Sequence, residues 1–182
     1  MTGNKEVMKI LVLGLGNPIL TDDGVGVRVA EAVHRALPPD ISVEVSEASV
    51  GGLRLMERVV GYDRVILIDA LHNPIENQAG HHPATSLGRN PGTIHRLTLE
   101  DLREVSPTQH SASAHDTSLI TALEMGERIG LSLPQEFIIY AIEVENIIDF
   151  GEEPTPAVAE AIPKVTAAVL EELKRWNKLS VC

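Results

Sequence analysis

The chain has 182 residues, enough for one α/β domain with a full core and too few for two ordinary ones. Hydrophobic residues make up 43% of it and aromatics only 3%, so the core must be built from Val, Ile, Leu and Ala. A formal net charge of −11 leaves no basic face for nucleic acid and argues equally against an anionic membrane surface.

The first seven residues are polar and short, unlike a secretory signal, and no apolar run approaches the ~20 residues of a membrane helix. Cysteine occurs once, at Cys182, which permits no intrachain disulfide and is a poor position for a nucleophile. These features predict a cytoplasmic protein folded as a single domain over residues 1–182.

The first predicted strand is Lys9–Leu13. It runs directly into Gly14-Leu15-Gly16-Asn17-Pro18-Ile19-Leu20-Thr21-Asp22-Asp23-Gly24-Val25-Gly26 and then into a helix predicted over Gly24–Leu37. Strand, glycine-rich turn and helix suggest a nucleotide site at first. The dinucleotide fingerprint, however, needs a third glycine where Ile19 stands, and the Gly-Lys-Ser/Thr of a P-loop is absent. The adjacent acids would also repel a pyrophosphate. Asp22 is well placed to cap the helix, which leaves Asp23 to point into the crevice at the strand end as a metal ligand or general base.

Further strands are predicted at Ser42–Ser46, Arg64–Asp69, Thr93–Leu97 and Phe137–Ile142, and further helices at Gly51–Val60, Asp116–Ile129 and Pro156–Trp176. Arg64–Asp69 is apolar without alternation, as a central strand buried on both faces would be. Thr93–Leu97 alternates, which suits an edge strand and allows an antiparallel one. Pro163 should kink or split the final helix. The alternation of elements predicts an α/β fold: a three-layer α/β/α sandwich on a mostly parallel sheet of about five strands.

Two stretches are irregular. Residues 71–92 hold His81 and His82 among Pro, Gly and Asn, and read as a long mobile loop rather than a metal site, because neighbouring histidines diverge in an extended chain. Val105–Ala114 is small and polar and delivers His115 to the start of a helix. Asp69 closes an otherwise apolar strand, where an acid is costly to bury unless paired or metal-bound. Asp23, Asp69 and His115 thus fall on loops at one rim if the strands are parallel. Two carboxylates and an imidazole suit a divalent transition metal such as nickel or zinc, with coordination positions left open. No Ser-His-Asp, Cys-His or His-Glu-x-x-His arrangement supports a nucleophilic or zincin route.

The Gly-Leu-Gly-Asn-Pro opening is similar to that of bacterial peptidyl-tRNA hydrolases, but Thr21-Asp22-Asp23-Gly24 replaces their histidine-bearing segment. The continuation resembles the endopeptidases that mature nickel–iron hydrogenases. The match extends through Glu44-Val45-Ser46-Glu47-Ala48, Gly61-Tyr62-Asp63-Arg64-Val65-Ile66-Leu67-Ile68-Asp69-Ala70 and Ser113-Ala114-His115-Asp116. That resemblance implies removal of the C-terminal tail from the precursor of the hydrogenase large subunit after nickel insertion. It makes Asp23, Asp69 and His115 both the catalytic and the metal-contacting residues. No permanent cofactor is expected; the nickel is presented by the substrate, although other divalent metals could occupy the site in vitro. Glu47 matches a further family acid, but Ala48-Ser49-Val50-Gly51-Gly52 departs from the usual continuation. The alternatives are a metal-dependent hydrolase of small molecules and a non-catalytic nickel-site chaperone. The oligomeric state is not encoded in any motif.

Overall fold

The computed structural model describes residues 8–72, 90–105 and 114–180; the side chains of 104–105, 114–118 and 179–180 lie outside that description. Its strands are β1 (Ile10–Leu15), β2 (Glu44–Ala48), β3 (Arg64–Leu71), β4 (Ile94–Thr98) and β5 (Glu136–Glu143). They form one sheet in the order β2-β1-β3-β5-β4. Four run parallel, and β4 closes one edge antiparallel to β5. The edge position read from the alternation of Thr93–Leu97 is therefore correct.

Alternation along each strand divides the core into two layers. Val12, Ile66, Ile68 and Ile138 pack with Val29 and Val33 of α1 (Val25–Ala36) and with Val165, Val169 and Trp176 of α5 (Pro156–Ser180). Leu11, Leu13, Val65, Leu67 and Ile139 point the other way. They meet Leu55 and Val59 of α2 (Gly52–Val59), Leu102 of α3 (Leu99–Val105), and Leu119 and Leu123 of α4 (Ala114–Arg128). This is the α/β/α arrangement expected from the sequence. No helix among the described residues is long and apolar enough to cross a membrane.

Several boundaries differ from the sequence expectation, each for a physical reason. β3 does not end at Asp69. It runs two residues further because Asp69, Ala70 and Leu71 find parallel partners in Ala141, Ile142 and Glu143. β2 lies two residues later than predicted, in register with Leu11–Leu15 of β1. α5 is neither split nor ended by Pro163. Val158, Ala161, Val165, Val169, Leu173 and Trp176 form a fully buried stripe on both sides of the proline, and this packing outweighs the ~3 kcal/mol that an internal proline costs. α3 was not anticipated. Its start is fixed by a reciprocal cap: the Thr98 amide and hydroxyl donate to Asp101 Oδ2, both at 2.7 Å, and the Asp101 amide donates to Thr98 Oγ1 at 3.2 Å. Most of the predicted 71–92 loop, with His81 and His82, lies outside the described residues, as does Cys182.

Candidate active site at the carboxyl rim

Strand order locates the site. The chain leaves β1 toward β2 on one side and returns to β3 on the other, so the strand order reverses between β1 and β3. A crevice is expected at such a switch point, beyond the carboxyl ends of the strands. Asp23 and Asp69 both belong to this point.

The turn after β1 is tightly constrained. Gly16 has φ +124°, and a Cβ there would lie 1.8 Å from the Asp23 carbonyl oxygen, so only glycine fits. Gly26 lies against β3 itself: a Cβ would come within 2.3 Å of the Ile68 carbonyl oxygen, the residue before Asp69. The start of α1 is thereby pressed onto the strand that carries the second acid. Within the turn, Asp23 Oδ2 accepts a hydrogen bond from the Asn17 amide at 2.6 Å. Thr21 holds φ +25°, a strained value for a β-branched residue, immediately before the two acids.

Asp22 does not cap α1. The cap position belongs to Gly24, which makes no side-chain capping bond, and Asp22 contributes only its carbonyl, to the Val25 amide at 3.0 Å. Its carboxylate is fully buried and points instead at the segment joining β5 to α5. There it accepts from the amides of Glu145 (3.3 Å), Asn146 (3.1 Å) and Thr155 (2.7 Å) and from the Thr155 hydroxyl (3.1 Å). More bonds join the same two segments. Thr21 Oγ1 donates to the Asp149 carbonyl at 2.7 Å, Leu20 bridges Gly151, and the Arg28 guanidinium donates to the carbonyls of Pro18 and Glu152. Asp22 is thus the post that holds the Asp23 turn, a role for which the local sequence offers no signal.

Asp69 is 5% exposed and accepts from the Ala70 amide at 2.9 Å. By strand alternation it shares the face of Val65 and Leu67, the side covered by α2 and α4. α4 reaches the same rim with its first residues, because it ends at Arg128 near the amino end of β5 and runs back against that strand. His115 is its second residue, inside the first turn rather than before the helix as predicted; its side chain lies outside the description. The structure thus brings Asp23 and Asp69 to the switch point and the backbone of His115 to the same rim. Glu47 diverges. It lies within β2, opposite Gly14, on the α1 side of the sheet. There it lines a groove of about 440 Å³ with His34 and Arg35, away from the face that Asp69 uses.

One feature of the rim escaped sequence reasoning. Glu143, the last residue of β5, is 2% exposed, and its Oε1 lies 2.7 Å from His95 Nε2 on β4. Its Oε2 accepts from the Asn90 amide at 2.7 Å. The partners are 48 and 53 residues away, which no local pattern reveals.

A family model described as HycI hydrogenase maturation protease matches residues 83–172. The Hydrogenase 2 maturation protease of Escherichia coli (strain K12) is 42% identical over 168 aligned residues, covering 90% of this chain and 92% of that protein. The hydrogenase expression/formation protein HupD of Rhizobium leguminosarum bv. viciae is 26% identical over 96% of this chain and 79% of its own length. Among solved structures, the hydrogenase maturating endopeptidase HybD from E. coli superposes with a TM-score of 0.70 at 26% identity, covering 92% of this chain and 93% of that one. The HybD maturation protease from Thermococcus kodakarensis shares the fold, with a TM-score of 0.61 at 22% identity over 91% and 99% of the two chains. Fold, acid-bearing switch point and relatives together define the class, an endopeptidase on an α/β/α scaffold. More narrowly, the chain belongs to the hydrogenase maturation proteases.

Proposed function

We propose that this protease removes the C-terminal tail of a nickel–iron hydrogenase large-subunit precursor, and that Asp23, Asp69 and His115 contact nickel already held by that precursor. The observation that supports the reading is that Asp23 follows β1 and Asp69 lies near the carboxyl end of β3, the two strands that flank the switch point, with Gly26 packed against Ile68 between them. The donor set fits: two carboxylate oxygens and an imidazole nitrogen suit a divalent transition metal and leave positions for ligands from the substrate. The nickel is substrate, not a resident cofactor. Its attachment to both proteins would hold the scissile bond at the rim, replacing a chance encounter with a fixed geometry. The substrate is a protein rather than nucleic acid or membrane, and the reaction is cytoplasmic.

The test is the mass of the large subunit after incubation with the protease, before and after nickel insertion. Asp23→Asn, Asp69→Asn and His115→Ala are each expected to abolish tail removal while circular dichroism stays unchanged. Equal cleavage of the nickel-free precursor by the wild-type protein would overturn nickel recognition. Full activity in Asp69→Asn would remove the site itself. A precursor whose mass never changes would favour the chaperone alternative.

A further inference from the structure

We propose that His95 and Glu143 form a proton-transfer pair for the peptide hydrolysis, with His95 as the catalytic base and Glu143 as the residue that orients it. This rests on the peptidase reading of the carboxyl rim and adds to the three residues assigned to nickel.

Position is the first argument. Asp69 of β3 and His95 of β4 are both register partners of Ala141 on the strand between them. All three belong to the alternation set that includes Val65, Leu67, Leu97, Phe137 and Ile139, which face α2, α3 and α4. Asp69, Ala141 and His95 therefore form one row across the sheet, on one face, at the rim. Two strand spacings put the Cα atoms of Asp69 and His95 roughly 10 Å apart. Ala141, between them, has a side chain too small to fill the row. Within the row, only that methyl group stands between the acid and the imidazole.

Chemistry is the second argument. Glu143 is buried at the end of an apolar strand, where a carboxylate is costly unless its oxygens are engaged. An apolar residue would close the edge at lower cost. Glu143 has engaged both oxygens instead, one on the Asn90 amide and one on His95. A carboxylate accepts and does not donate, so Nε2 of His95 carries a proton toward Glu143, and in the neutral ring that a base requires the lone pair falls on Nδ1. The ring is 22% exposed, open enough to meet a substrate and held in one tautomer by its partner. In the reaction, Nδ1 takes a proton from water as the water oxygen bonds to the scissile carbonyl carbon. It returns that proton to the amide nitrogen as the C–N bond breaks, giving a carboxyl group on the mature subunit and an amine on the released tail.

The experiment uses the full-length protease and a nickel-loaded large-subunit precursor, with single-turnover cleavage, precursor affinity and Tm measured for each variant. His95→Gln keeps an N–H donor for Glu143 but removes the basic nitrogen. It is expected to slow cleavage by about 100-fold or more, with affinity and Tm near wild type. Glu143→Gln should slow cleavage without weakening binding. His95→Ala should be partly rescued by added imidazole, a response that a purely structural pair would not give. Cleavage by His95→Gln within about threefold of wild type would overturn the proposal, and so would a slow His95→Ala that imidazole does not restore. Activity in His95→Gln together with loss in Asp69→Asn sinks the pair and leaves the nickel reading standing. The opposite pattern sinks the nickel reading and supports the pair.

Discussion

Glu136, at the amino end of the sheet, and Glu172, on α5, are held by arginines. Glu136 lies 3.3 Å from Arg64 and 3.2 Å from Arg175; Glu172 lies 2.9 Å from Arg96 and 2.5 Å from Arg175. The Arg64 guanidinium also sits 5.3 Å from the ring centroid of Trp176. At the carboxyl end, Asp22, Asp23 and Glu143 accept bonds from backbone amides, a threonine hydroxyl and an imidazole. The difference is chemical. An arginine cancels the charge of the acid it holds, whereas an amide fixes a carboxylate in place and leaves it anionic, and so able to meet a cation. The amino end is built for cohesion, and the carboxyl end keeps charge in fixed positions.

The contrast predicts unequal costs. Asp22→Ala should have the largest effect: it strands several buried donors at once and should cost about 3 kcal/mol or more in denaturant unfolding, with loss of cleavage because the Asp23 turn is released. A cost below ~1 kcal/mol would break the comparison. Gly16→Ala comes next at about 2 kcal/mol, from a positive φ and an overlap with the Asp23 carbonyl, again with impaired cleavage. Arg175→Ala should cost under ~1 kcal/mol, because its side chain is 53% exposed and solvent screens its two pairs; salt should shrink that cost further.

The smallest effect sharpens the contrast without a mutation. Tyr62, at the amino end, donates to Glu44 at 2.6 Å; burial first, and then that carboxylate, raise its phenol to about 12. Tyr140 is also raised, chiefly by burial. A folded pKa above the unfolded one means stability that is full below about pH 10 and is lost as pH rises through about 12. Ultraviolet titration of the folded protein should show no phenolate step near pH 10; such a step that persists in Tyr140→Phe would show Tyr62 to be solvated.

Much of the scaffold was legible because its signals are local. The apolar runs Ile10–Leu13 and Val65–Ile68 mark strands buried on both faces, and the alternation of Thr93–Leu97 marks an edge. The Thr98–Asp101 spacing is likewise a local signal, a cap for α3. Asp23 and Asp69 could be singled out as acids at strand ends. Asp22 departs from the capping role that its local position suggests, because its donors come from the β5–α5 segment, 123 to 133 residues downstream. His95 and Glu143 look unremarkable one at a time. Only the antiparallel pairing of β4 with β5, a tertiary fact, brings them together.

The carboxylate of Asp22 also has a consequence for how the molecule is made. Its donors lie 123 to 133 residues downstream, the last being Thr155 at the threshold of α5. On the ribosome, the first turn emerges long before anything exists to hold it. The Asp22 carboxylate stays without these donors until Thr155 has been translated, so this edge of the enzyme is completed 133 residues after the turn it secures.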